Sequence, residues 1–148
     1  MSDKRQWIPI GGLLAIVAIA IYMVARMDAQ SAATVDFANA GVAEVRDEQA
    51  QVILRGQFVV SNEDADEVER KAVLEPAGSD ADAAGEAEVE ISASDGAQEL
   101  EFSVSNVQPG SSVTFVIDGE AVATARADSR GRAEAELDVT ASGDVTSR

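Results

Sequence analysis

The chain has 148 residues, with 11 lysines and arginines against 27 aspartates and glutamates, a formal net charge of -16, and neither histidine nor cysteine. A charge of that sign repels phosphate backbones and anionic headgroups, which argues against nucleic acid as a partner. The two missing residue types remove the usual general base, thiol nucleophiles, haem ligation by imidazole or thiolate, soft-metal sites and disulfides.

Residues 1–6, a short amino terminus holding Lys4 and Arg5, precede the uncharged run WIPIGGLLAIVAIAIYMVA at 7–25. As a helix rising about 1.5 Å per residue this run covers roughly 28 Å, close to the hydrocarbon thickness of a bilayer, so the sequence predicts one transmembrane helix. Lys4 and Arg5 lie ahead of it, and Arg26 behind it is soon followed by Asp28. Positive charge in short loops stays inside, which gives a cytoplasmic amino terminus, a single-pass protein of the cytoplasmic membrane and a periplasmic or extracytoplasmic remainder. Trp7 and Tyr22 fit the two interfaces as aromatic anchors. Gln30-Ser31-Ala32-Ala33 offers a competing reading, a cleaved signal peptide; the run is longer than an ordinary signal core, and Arg26 and Asp28 stand between it and any cut. Gly11, Ala15, Ala18 and Ala25 fall at i, i+4, i+7 and i+14, a small-residue side that lets a partner helix approach in lipid, although alanine and glycine are common in any membrane helix.

Beyond the run, setting aside Asp3 leaves 26 of the 27 acids, and setting aside Lys4, Arg5 and Arg26 leaves 8 of the 11 bases. Solubility or a high-salt habitat accounts for the surplus, and so does a docking face for a basic protein. Residues 26–49 read as a juxtamembrane stalk or a first strand, because Val35, Phe37, Val42 and Val45 fit either a strand or a short helix near the membrane. No long Gly/Ser- or Pro-rich linker follows the run, so the exported module stands close to the lipid.

From 50 to 139 apolar and polar residues alternate, the pattern of strands with one buried face. Val52, Leu54, Phe58 and Val60 share a parity that Ile53 and Val59 interrupt. Ala87, Val89 and Ile91 alternate with glutamates, as do Leu100, Phe102 and Val104. Val113, Phe115 and Ile117 follow, then Ala133, Ala135, Leu137 and Val139. Turn signals separate them at Pro109-Gly110, Asp118-Gly119 and Asp128-Ser129-Arg130-Gly131. The pattern predicts an all-β extracytoplasmic domain, a small antiparallel β-sandwich or open barrel of immunoglobulin-like or transthyretin-like size, with about seven strands. Gly85-Glu86-Ala87-Glu88-Val89-Glu90-Ile91 and Gly131-Arg132-Ala133-Glu134-Ala135-Glu136-Leu137 share the form G-x-A-E-x-E-aliphatic. Two similar hairpins, one in each sheet, would explain this echo, and so would chance in an acidic, alanine-rich chain. Residues 140–148 read as a flexible tail.

Chemistry is limited by what is missing. Serines have no histidine to activate them, Lys71 beside Arg70 reads as a solvated pair rather than half of a Ser-Lys dyad, and no carboxylate pair stands out for hydrolysis. The expectation is a protein that is not an enzyme, with no catalytic residue and no cofactor. Asp64-x-Asp66 and Asp80-x-Asp82 have the alternate spacing of oxygen cages. From Asp80 the helix-loop-helix calcium pattern finds Gly85 in place but Ala84 and Ile91 at ligand positions, and from Asn62 it finds Glu67 where glycine is needed. Exposed acidic loops are the simpler account, with calcium held by an irregular loop pair as the alternative.

Two functions follow. The first is a noncatalytic accessory subunit of a larger membrane complex, its helix packed on partner subunits and its β-domain capping the periplasmic side. The second is a tethered module that binds a soluble partner, a surface polymer or calcium. In layout, an anchor plus a small exported domain, the chain resembles small single-pass subunits of bacterial respiratory and photosynthetic reaction-centre complexes. That resemblance implies that pigments or haems would meet only apolar anchor side chains.

Overall fold

A computed structural model describes residues 36–78, 80–140 and 145–147. The chain divides into two units, Met1–Gln30 and Ser31–Arg148. The predicted membrane helix, with Lys4, Arg5, Trp7, Gly11, Ala15, Ala18, Tyr22 and Ala25, lies outside the described residues. Among the described residues no helix is long and apolar enough to cross a membrane.

The second unit is all-β. After a 3-10 turn at Phe37–Asn39 come β1 (Val42–Arg46), β2 (Val52–Gln57), β3 (Val59–Glu63), β4 (Glu67–Pro76), β5 (Ala84–Ser92), β6 (Gln98–Ser105), β7 (Ser112–Ile117), β8 (Glu120–Arg126), β9 (Ala133–Val139) and β10 (Val145–Ser147). All pairings are antiparallel and follow the order β10-β9-β6-β5-β4-β2-β1-β7-β8, with β3 beside β4. The sheet curls on itself into a half-barrel, consistent with the sandwich or open barrel the alternation predicts. Four strands separate β6 from β7 along the sheet, yet Phe102 of β6 stacks on Phe115 of β7 with ring centroids 4.6 Å apart. Both rings are fully buried, among Leu54, Leu74, Leu100, Val104, Val113 and Ile117.

The ten strands among the described residues exceed the seven or so expected, for local reasons. The apolar run 52–60 is two strands, because the chain bends at buried Phe58 and leaves β2 to pair a different stretch of β4. Leu54 and Phe58 are buried, whereas Val59 and Val60 are both exposed, so Val60 does not share their face. Within 26–49, Val42–Arg46 is a strand between β2 and β7, with Ala43 and Val45 in the core. Within 140–148, Val145–Ser147 pairs with Val139, Asp138 and Leu137 of β9.

Turn chemistry matches the residues that carry it. Asp118 and Gly119 both have positive φ, 49° and 89°, the geometry of a two-residue hairpin loop whose twist suits the flanking strands. The Asp118 carboxylate also accepts bonds from the N–H groups of Gly41 and Val42, which fixes the entry into β1. Phe37 closes one end of the core: the neighbouring Ala38 N–H donates to Gln98 Oε1, and its carbonyl accepts from Arg70. Arg70 also lies over the Phe58 ring at 5.9 Å.

Candidate functional site

The echoed segments lie in one part of the sheet rather than one in each of two sheets. They form β5 and β9, the two neighbours of β6, in matching register. Ala87 and Ala135 flank Phe102, Val89 and Leu137 flank Leu100, and Glu88 and Glu136 flank Glu101. The form has a physical logic. The two alanines leave room for the Phe102 ring between its neighbours, and the alternate glutamates must point outward because the side-chain period of a strand is two.

Those outward positions build rows of carboxylates across the strands. Glu69, Glu90, Glu99 and Asp138 stand directly opposite one another across β4, β5, β6 and β9. The adjacent row is Lys71, Glu88, Glu101 and Glu136, and the next contains Glu86, Ser103 and Glu134. Opposed like charges at this spacing destabilise a sheet. Among the described residues of these four strands Lys71 is the one outward cation. Its ammonium lies 2.7 Å from Glu88 and 4.0 Å from Glu86, and the hydrogen bond it donates to Glu88, then the charge of Glu88, raises the Lys71 pKa. Glu90 shows the cost of the crowding: desolvation first, then the charges of Glu67, Glu99, Glu88 and Glu69, push its carboxyl above its ordinary value.

The other half of the sheet is balanced. Buried Glu44 on β1 pairs with Arg46 at 2.7 Å and Arg55 at 3.1 Å. Among the strands, the excess of negative charge therefore falls on β4, β5, β6 and β9. At one end of this face Glu67, Glu90, Ser92, Gln98, Glu99 and Asp138 help line an open recess of about 200 Å³. There Glu99, Glu136 and Asp138 each bring a carboxylate oxygen within 4.8 Å of the other two, a donor set suited to a hard cation.

The calcium candidates named from spacing do not converge. Asp64 and Asp66 precede β4, while Asp80 and Asp82 follow it, so the length of a ten-residue strand, roughly 30 Å, separates the pairs. The Asp64 carboxylate is engaged locally, accepting from the N–H groups of Asp66 and Glu67. The Asp82 carbonyl accepts from Asn106 Nδ2. Of the Arg70-Lys71 pair, the arginine turns toward Phe58 and the 3-10 turn, and the lysine turns to the glutamates. The carboxylate rows escaped a reading of spacing because they join residues distant in the chain; the A-E-x-E echo was the signal that could have found them.

No family model, curated protein or solved structure matches this chain.

Proposed function

We propose that the chain is a noncatalytic, single-pass accessory subunit of a larger bacterial membrane complex of respiratory or photosynthetic type. Helix 7–25 packs on partner helices through Gly11, Ala15, Ala18 and Ala25, and the β-domain covers the extracytoplasmic side of the assembly. The observation that carries this reading is the acidic outer face of β4, β5, β6 and β9, which complements a basic protein surface. Charge complementarity of this kind sets orientation and partner choice more than affinity. The test is a zero-length carboxylate-to-amine crosslink in native membranes, followed by identification of the adduct. One dominant adduct with another membrane subunit, lost in Glu88→Gln/Glu101→Gln and released when Ala15→Leu widens the helix, is the expected outcome. Continued co-purification of the Ala15→Leu protein with an unaltered crosslink would refute it.

A second reading, a tethered calcium-binding module, is favoured by the converging oxygens of Glu99, Glu136 and Asp138. A ligand that binds the folded state raises its apparent stability by mass action. A melting temperature unmoved by millimolar calcium removes this alternative.

A further inference from the structure

The turn between β8 and β9 gathers cations that form no ion pair among the described residues. Arg126, Arg130 and Arg132 are exposed, and among the described residues none lies within 4.0 Å of a carboxylate, whereas Arg46, Arg55 and Lys71 each do. Asp128 sits in the same turn, but its carboxylate is taken by the N–H groups of Arg130 and Arg132. The turn is firmly held. The Gly131 carbonyl accepts from the Val107 N–H, and a Cβ at Gly131, whose φ is 73°, would lie 2.3 Å from the Val107 carbonyl oxygen. Beside this turn runs the row Glu86, Ser103 and Glu134 across β5, β6 and β9, with both glutamates exposed. Glu134 lies two residues beyond Arg132, on the same side of the chain by the strand period. Lys71 reaches Glu86 only at 4.0 Å, its short contact being with Glu88.

We propose that this patch is a contact between two copies of the chain: Arg130 and Arg132 of one copy dock on Glu86 and Glu134 of the other, and a two-fold axis repeats the contact in reverse. A patch with cations at one end and carboxylates at the other matches itself under a two-fold rotation, the condition for a closed dimer. The adjacency of the two signs is what selects a second copy. An anionic polymer or lipid surface would meet the arginines but would also face the neighbouring glutamates, and a purely basic surface would do the opposite; a second copy answers both halves at once. Such complementary charge fixes orientation and excludes wrong partners. The inference goes beyond the docking reading above and does not depend on it, because it uses the arginine turn and the row beside it and leaves the row of Lys71, Glu88, Glu101 and Glu136 to that partner.

Two measurements on the full chain in a zwitterionic detergent test it. The first is site-specific. The side-chain amines of the natural chain are Lys4 and Lys71, so Arg130→Lys places a new amine in the turn with its charge kept. A zero-length carboxylate-to-amine crosslink between isotopically labelled and unlabelled copies should then join position 130 of one copy to Glu86 or Glu134 of the other. Arg55→Lys, an exposed cation outside the patch, should give no such inter-copy amide. The second is sedimentation. Arg130→Glu/Arg132→Glu and Glu86→Lys/Glu134→Lys should each weaken self-association by about tenfold or more, and an equimolar mixture of the two should recover it as a 1:1 pair, since the reversed charges match again. An unchanged thermal melt by circular dichroism shows that each variant folds, and the conservative Arg130→Lys crosslink decides the matter if one does not. No inter-copy amide at Glu86 or Glu134, an equal yield from Arg55→Lys, or two folded charge-reversed chains that do not recombine would each overturn the proposal.

Discussion

Replacing Phe102 with alanine tests the central packing of the half-barrel. The ring is fully buried and stacked on Phe115 at 4.6 Å and 27°, so truncation removes a large apolar contact and leaves a cavity between two parts of the sheet that no ladder of hydrogen bonds joins. Phe→Ala changes in cores cost about 3–5 kcal/mol. A small domain is stable by only about 5–15 kcal/mol, and each kcal/mol moves the melting temperature of a domain this size by roughly 4–8 °C, so a fall of about 15–30 °C is expected. The ring-ring contribution itself separates in a double-mutant cycle of Phe102→Leu and Phe115→Leu, which keeps apolar bulk and removes the stack; a coupling of about 0.5–1.5 kcal/mol is expected. The single tryptophan and single tyrosine are Trp7 and Tyr22, so intrinsic tyrosine or tryptophan fluorescence has no reporter within the β-domain. Far-UV circular dichroism of the detergent-solubilised chain at high salt, or calorimetry, reads the transition. An unchanged melting temperature for Phe102→Ala would refute the curl of the sheet, and additive leucine substitutions would show that the rings contribute area and no specific stack.

Gly56→Ala should be disproportionately damaging for one methyl group: a Cβ there would lie 2.2 Å from the Val73 carbonyl oxygen, and among the described residues the β2–β4 register is short, Leu54↔Pro76 and Arg55↔Glu75. A loss of about 1–3 kcal/mol or more by thermal melt is expected, and a neutral result would show that β2 does not approach β4 this closely. Acidification should first stabilise the domain and then destabilise it. Glu90 has a folded pKa above its ordinary 4.5, so its ionised form opposes folding at neutral pH, and that penalty disappears as pH falls through the folded value toward 4.5. Asp36, Asp95 and Asp128 behave oppositely, because bonds from Asn39, from the Ala97 N–H and from the Arg132 N–H respectively hold them below the ordinary 3.8; the stability they add is present above 3.8 and lost as pH falls through their folded values. A melting temperature that falls steadily from pH 7 downward, or an acid-side rise undiminished in Glu90→Gln, would count against this account.

Much of the strand layer was legible because one buried face writes a period of two into the residues. Leu100, Phe102 and Val104 point inward and Glu99 and Glu101 outward as alternation requires, and Asp118-Gly119 turns where its backbone freedom allows. The run 52–60 misled because a bend at Phe58 reassigns the faces on either side of it, and a bend is set by what the chain meets across the fold. β1 is ambiguous in sequence because five residues with two valines and a glutamate fit several structures; its pairing with β2 and β7 decides among them. The candidate site was legible only as composition. The acidic surplus is visible in the sequence, but the spacing of aspartates in loops singles out Asp64, Asp66, Asp80 and Asp82, which lie at opposite ends of β4.

The sequence by itself determined that this is an antiparallel β-domain, acidic and free of histidine and cysteine, because residue type and local period are properties of short stretches of chain. Only the tertiary structure decided which glutamates oppose one another and which rings stack. Register joins Glu69 to Asp138 across four strands, and curling brings β6 over β7. Both are fixed by long-range packing of the inner face, to which outward glutamates contribute no pattern of their own.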